Sequence, residues 1–156
     1  MNNKERNRLP HLTVAALVQK DQKYLIVKEW QDNQIVLNQP AGHVENNEDV
    51  LQAVIRETQE ESGWLVEPIG LVGLYAFTPY KGADTYHRLC ILCRPVQHIS
   101  DQLDDDILSS HWLSWDEIQS FPHRSPLINA CIEDSQNKPT MPLAFLSNQF
   151  LIPENR

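Results

Sequence analysis

Long hydrophobic runs are missing from this sequence. No apolar stretch approaches the roughly 18 residues that a bilayer-spanning helix needs, so no membrane partner is expected. The first ten residues are polar and lack the hydrophobic segment of a secretory leader, which makes cytoplasmic the expected location. Basic residues are scarce as well: 13 Lys and Arg stand against 21 Asp and Glu, a formal charge of −8. That balance argues against a nucleic-acid partner, which requires a basic surface. It also means that any phosphate chemistry here must draw its positive charge from elsewhere, and bound metal is the obvious source. Cysteine is limited to Cys90, Cys93 and Cys131, too few and too odd in number for a disulfide framework. Cys90 and Cys93 form a C-x-x-C within Arg88-Leu-Cys-Ile-Leu-Cys, which reads as a strand. Residues three apart on a strand point to opposite faces, and no second Cys/His pair follows at ligand spacing. The three thiols are read as buried structural residues.

What is present fits one compact domain. The chain has 156 residues, 41% hydrophobic and 22% charged, enough for a single core and little more. A single domain over 1–156 is expected, with a core at about 9–146 and peripheral ends. Apolar runs predict strands at His11–Val18, Lys23–Glu29 and Ile35–Asn38, then at Leu65–Val72, Leu74–Thr78, Thr85–Val96 and Ser110–Leu113. Gln39-Pro-Ala-Gly-His reads as a loop. Helical spacing runs from Glu48 to about Ser62, with Asn46 or Asn47 as N-cap, Glu48 and Asp49 as first-turn acids, and Gly63 as the stop. Further helices are expected at Trp115–Ser120 and Arg124–Ser135. Strands interleaved with a few helices predict an α+β fold, a mixed sheet covered on both faces.

The helix after the loop carries the strongest chemical signal. Leu51, Val54, Ile55, Thr58 and Ser62 share one face at 100° per residue, while Glu57, Glu60 and Glu61 lie on another at i, i+3 and i+4. A solvated acidic face is the plain explanation. Two features count against it. No Lys or Arg sits at the i+4 partner positions, so the glutamates repel one another, and they occupy the last turns, where the helix dipole disfavours negative charge. A divalent cation would offset both costs, and Mg²⁺ favours carboxylates together with phosphate oxygens and water.

The segment from Gly42 to Trp64 resembles the Nudix box: a glycine, five residues, Glu48, seven residues, Arg56-Glu57, then Glu60-Glu61, any residue, and Gly63. Seven fixed residues stand at their family spacing. Thr58 and Trp64 depart from the aliphatic positions, and Ala41 and Asn47 stand where many members have glycine. The resemblance implies a Nudix-type α/β/α sandwich and a hydrolase that cleaves phosphoanhydride bonds with Mg²⁺, or Mn²⁺ as a substitute. It implies that Glu57, Glu61 and the Ala41 backbone carbonyl bind metal, with Glu60 a further ligand or part of the base system. It also implies that Arg56 and Glu48 pair to hold the loop against the helix. Many members add an acid from a later loop. Asp106 stands six residues before Trp112, at a spacing seen in the family, with Asp105 second; Asp104-Asp-Asp reads equally well as a solvated loop.

Beyond the box, His11-Leu-Thr-Val-Ala, Asn38-Gln-Pro-Ala-Gly-His43 and Arg124-Ser-Pro-Leu127 resemble the bacterial NudJ-type Nudix phosphatases. That similarity implies a small-molecule substrate: nucleoside triphosphates and diphosphates, and the diphosphate of the thiamine pyrimidine precursor, with release of orthophosphate. Arg124 is the candidate phosphate contact, since a guanidinium matches phosphate geometry; a surface arginine at a helix start is the alternative. His43 and Asn38 are candidate pocket residues, or parts of the loop. Trp30, Tyr75, Phe77 and Tyr80 could stack on a base or simply fill the core. Pro79, sixteen residues after Gly63, keeps an ADP-ribose pyrophosphatase open as an alternative. A non-catalytic ligand-binding regulator is the alternative of another class, weakened because all three box glutamates are present. A monomer or homodimer is expected.

Overall fold

The computed structural model describes residues 8–153; most of the polar N-terminal stretch lies outside them. Seven strands form one sheet: β1 (His11–Lys20), β2 (Lys23–Gln31), β3 (Gln34–Asn38), β4 (Ala41–His43), β5 (Trp64–Phe77), β6 (Tyr86–His98) and β7 (Ile107–Leu113). The main path runs β3-β2-β1-β6-β5, with β4 paired to β1 and β7 to β2. Only β1 and β6 are parallel, from His11↔Tyr86 to Val18↔Cys93. The helices are α1 (Val50–Ser62), α2 (Trp115–Gln119) and α3 (Leu127–Asn137), followed by a short 3₁₀ turn at Leu143–Phe145. Among the described residues no helix is long and apolar enough to cross a membrane.

Alternation along the central strands builds two cores, one on each face. Val14, Ala16, Val18, Ile91 and Cys93 join Ala53 and Val54 of α1. Leu17, Cys90, Tyr24, Ile26 and Leu37 join Ile118 of α2 and Ile128, Cys131 and Ile132 of α3. The result is a helix–sheet–helix sandwich. Cys90 and Cys93 fall in different cores, as their three-residue spacing requires, and all three thiols are free and buried.

Several boundaries differ from the sequence reading. The expected strands at Leu65–Val72 and Leu74–Thr78 are one strand, β5, whose register against β6 shifts at Leu65/Val66, Pro68/Gly70 and Leu71/Gly73. Bulges absorb the glycines and the proline without ending the strand. Ala41–His43, expected as loop, forms the short strand β4 against Thr13–Ala15. The cap of α1 is Asp49 rather than Asn46 or Asn47. Its side chain accepts from the Gln52 N–H (2.8 Å), and the Gln52 side chain accepts from the Asp49 N–H (3.0 Å). This reciprocal box satisfies two end donors, while Asn47 takes a left-handed turn at φ 57°. Glu48 therefore lies in the loop and not in the first helical turn.

Candidate active site

Gly63 ends α1 in the left-handed conformation at φ 78°, and a Cβ there would strike the Ser100 carbonyl. This glycine lets the chain turn and also lets the β6–β7 loop close against the helix. The Gly63 carbonyl accepts from Ile99 N–H (2.7 Å) and Ser100 N–H (3.3 Å), and the Glu60 carbonyl accepts from Asp104 N–H (2.9 Å). On the packing side, Thr58 replaces an aliphatic residue without leaving a buried hydroxyl unpaired, because its Oγ1 donates to the Val54 carbonyl at 2.6 Å.

These contacts bring Glu57, Glu61 and Asp104 together, with one carboxylate oxygen from each lying within 4.8 Å of the others. Asp104 is exposed, Glu57 partly buried, and Glu61 the most deeply set. Of the three consecutive acids in the later loop, Asp104 is the one whose carboxylate comes within reach of Glu57 and Glu61; Asp106 and Asp105, the candidates from sequence, are not in that group. The bond to Glu60 fixes Asp104 against the helix, and the turn closed by Ile107 N–H to the Asp104 carbonyl (2.9 Å) leaves Asp105 and Asp106 exposed.

The electrostatics of the trio are strained. Burial pushes the Glu61 carboxyl up to about 8, against the lowering effect of the Ala41 N–H that donates to its Oε1 at 2.8 Å. The charges of Glu29, Glu57 and Asp104 push it in the same direction as burial. Burial also raises Glu57, opposed by Arg56. The Ala41 contact seen here is through its N–H; β4 brings that backbone beside Glu61. A Cβ on Gly42, next along β4, would overlap the Glu57 carboxyl group, so a side chain there would push that carboxylate out of its present position. Three converging carboxylates with too little positive charge form a donor set of hard oxygens that suits Mg²⁺ or Mn²⁺.

Arg56 is the hub that holds the loop to α1. Its Nε and Nη2 donate to the two oxygens of Glu48 (2.8 and 2.9 Å), Nη1 to Glu57 (2.8 Å) and Glu60 (3.2 Å), and Nη2 to the His43 carbonyl (3.1 Å). The two-pronged bond to Arg56 holds Glu48 below its ordinary value. The view that the glutamates lack a helical partner needs correction: Arg56 lies four residues before Glu60 and bridges to it. Glu60 is exposed and lines, with Arg56, Gln59, Leu103 and Asp104, an open depression of about 580 Å³ beside the trio.

The remaining sequence candidates are scattered. Arg124 pairs with buried Glu29 at 2.6 Å and keeps 48% of its side chain exposed. Asn38 is buried, and its Oδ1 accepts from the Gln39 N–H (2.9 Å), so it shapes the loop. His43 is exposed and its ring bonds His11 at 2.8 Å; the other nitrogen of His11 meets Asp84 at 2.8 Å. Tyr75 donates to Asp134 of α3 (2.6 Å), and Trp30 and Tyr80 are exposed. Sequence reasoning missed Glu29 and Arg88. Arg88 opens the apolar run 89–93, and Glu29 follows Lys28 at the end of the apolar run of β2.

The NUDIX domain model matches residues 9–131. Phosphatase NudJ of Escherichia coli strain K12 is 32% identical over 145 residues, covering 89% of this chain and 92% of that protein. A solved NUDIX hydrolase from Nitrosomonas europaea superposes with a TM-score of 0.85 at 40% identity, covering 89% of this chain and 97% of the other. An ADP-ribose pyrophosphatase from Streptococcus suis superposes at 0.65 with 23% identity, covering 84% and 96%, a likeness of fold alone.

Proposed function

Because this chain belongs to the Nudix family and is a phosphohydrolase of that family, we propose that it is a divalent-metal-dependent enzyme for small organic di- and triphosphates, chiefly nucleoside diphosphates and triphosphates, releasing orthophosphate. The observation that supports this reading is the convergence of Glu57, Glu61 and Asp104 at the end of α1. The domain is taken to span the whole chain.

In this reading Glu57, Glu61 and Asp104 hold the metal, with the Ala41 backbone beside them and Glu60 at the rim. When bound, Mg²⁺ neutralises phosphate oxygens and lowers the pKa of water at the site. The chain's own residues do the rest. Arg56 aims Glu57 through a 2.8 Å bond while anchoring Glu48 and the β4 loop, so the carboxylate geometry is set before substrate arrives. The Ala41 N–H fixes one oxygen of Glu61 and leaves the other for ligation. Glu60, exposed at the edge of the open depression, is placed to accept a proton from attacking water and pass it to solvent. Arg124, anchored by Glu29, offers its remaining guanidinium donors to a phosphate oxygen. The similarity to a phosphatase over most of both chains favours orthophosphate as product.

The test is a panel of nucleoside diphosphates and triphosphates, thiamine diphosphate and ADP-ribose, each with Mg²⁺ and with EDTA, reading orthophosphate and pyrophosphate separately. Orthophosphate from a nucleoside diphosphate, abolished by EDTA, is the expected result. AMP and ribose phosphate from ADP-ribose, with nucleoside diphosphates untouched, would overturn the substrate class.

A further inference from the structure

The segment after α3 crosses the α1 side of the sheet as a strap. Met141 pairs with Leu71 on the edge strand β5 through two backbone bonds of 2.8 Å, and Leu143 and Leu146 pack on the core beneath α1. The strap then reaches the loop that precedes α1. Asn148 Nδ2 donates to Asp49 Oδ2 at 2.8 Å. Asn47 binds the backbone of Ile152 twice: its Nδ2 donates to the Ile152 carbonyl (2.7 Å), and its Oδ1 accepts from the Ile152 N–H (3.0 Å). A left-handed turn such as the one at Asn47 is most easily made by glycine, with asparagine the side chain that tolerates it best. Asparagine keeps the turn and adds an amide, whose donor and acceptor meet one residue of the strap as a neighbouring strand would.

The two residues held by the strap, Asn47 and Asp49, flank Glu48. That carboxylate turns inward with both oxygens: Oε1 accepts from the Glu45 N–H (3.1 Å) and Arg56 Nη2 (2.9 Å), and Oε2 accepts from Arg56 Nε (2.8 Å). Asp49 divides its own carboxylate, one oxygen capping the Gln52 N–H and the other meeting Asn148. Glu45, Asn46 and Asn47 are exposed, and the loop's own closing bond, from the Glu48 N–H to the Glu45 carbonyl, is 3.2 Å long. A short exposed turn of this kind has little burial to hold it. The strap supplies the missing constraint from 99 and 105 residues away in sequence, on both sides of the one acid that anchors Arg56.

We propose that Asn47, Asn148 and Ile152 are positioning residues for α1: clamped together, they fix Glu48, and through Glu48 the guanidinium of Arg56 that aims Glu57. The proposal deepens the metal-dependent reading and rests on it for what Glu57 holds. The clamp acts by narrowing the arrangements open to the loop before any ion or substrate arrives. Its loss loosens the Glu48–Arg56 pair while the two cores stay folded, and a looser Arg56 leaves the Glu57 carboxylate less often directed toward Glu61 and Asp104.

The clamp is tested on the full chain by two measurements. NMR follows hydrogen exchange at Arg56 Nε–H and at the Glu45 backbone N–H in the metal-free protein, and titration with Mn²⁺ follows metal affinity. Asn47→Gly keeps the left-handed turn and removes the clamp from the loop side. Ile152→Pro removes the donating N–H from the strap side, so an effect shared by both does not come from the flexibility of a new glycine. Each should speed exchange at both sites about tenfold and weaken Mn²⁺ binding about threefold or more, and the double variant should do no more than the stronger single one, because both break one contact. Gln119→Ala removes two amide bonds of the same kind, to Asn129 (3.0 and 2.9 Å), between the helices on the opposite side of the sheet. It reports general loss of stability and should leave exchange and Mn²⁺ affinity at the parent values. Exchange unchanged in Asn47→Gly and Ile152→Pro, additive effects in the double variant, an equal change in Gln119→Ala, or faster exchange with Mn²⁺ affinity unaltered overturns the proposal. Failure of the parent chain to bind Mn²⁺ at all would instead count against the metal-dependent reading, and the exchange rates alone would then decide whether the strap positions Glu48 and Arg56.

Discussion

The two faces of the sheet solve opposite electrostatic problems. On the α1 face, acids crowd together: Glu48, Glu57 and Glu60 share the single guanidinium of Arg56, and Glu61 is pushed up to about 8 by its burial. On the α3 face, among the described residues, the guanidinium of Arg88 forms no ion pair, and Gln39 and Thr13 each keep a buried oxygen unpaired. One face has anions in excess of their partners, the other donors and acceptors in excess of theirs. A fold tuned for stability alone would have paired both sets, since each orphaned buried group costs about 1–3 kcal/mol. The contrast shows where this protein leaves polar groups without full partners: carboxylates on one side, hydrogen-bonding atoms on the other.

The most severe test of that division is Glu61→Gln, which keeps size and the acceptor for the Ala41 N–H but removes the charge. Turnover with Mg²⁺ should fall by about three orders of magnitude, on the scale of losing a group that acts as part of a catalytic unit. The thermal midpoint of the metal-free protein should hold or rise. Retention of full Mg²⁺-dependent activity would break the assignment of the α1 face. Next in size is the pair Asp104→Asn and Asp106→Asn, compared by the Mg²⁺ concentration for half-maximal activity. The first should raise it about tenfold or more, as loss of a charged ligand costs on the order of 1.4 kcal/mol or above, and the second should leave it near the parent value. The reverse order would return the role to Asp106. The smallest effect is in pH. The Glu61 carboxyl, raised in the fold to about 8, holds its proton more tightly there than in the unfolded chain. Between pH 5 and pH 8 the native state therefore binds the extra proton, and stability falls as pH rises. In EDTA the thermal midpoint should drop by several degrees over that window; Mg²⁺ should restore more of it at pH 8 than at pH 5, and Glu61→Gln should flatten the slope. A metal-free midpoint that climbs toward pH 8 would contradict the burial of this acid.

Legibility in the sequence followed the same divide. The α1 face could be read almost residue by residue because its chemistry sits on one helix, where spacing converts directly to position: Glu57 and Glu61 are one turn apart, and Arg56 reaches back to Glu48. Which of three consecutive acids comes near Glu57 and Glu61 could not be chosen from sequence, since a backbone bond from Asp104 to Glu60 decides it. Of the seven strands, β4 reads as loop because Pro40 and Gly42 punctuate it, and β5 reads as two strands because bulges at Pro68/Gly70 and Leu71/Gly73 look like breaks in a one-dimensional reading. The α3 face was the least legible. Thr13, Gln39 and Arg88 come from β1, a loop and β6, and only the parallel register of β1 with β6 sets Thr13 beside Arg88. Apolar patterning finds strands but not their neighbours. The three cysteines were read as structural and lie buried in the two cores.

The stitching of the β6–β7 loop to the end of α1 has a mechanical consequence. Three backbone bonds, from Ile99 and Ser100 to Gly63 and from Asp104 to Glu60, tie the loop to the last turn of the helix. Asp104 therefore travels with Glu57 and Glu61 as part of one rigid piece. Under the metal-dependent reading proposed above, a cation arriving there would meet its ligands already gathered, with the ordering entropy of that loop settled during folding instead of at each encounter. Exchange of the ion should then be limited by shedding its own water and not by a swinging flap, and shortening or loosening this loop should slow loading long before it unfolds the protein.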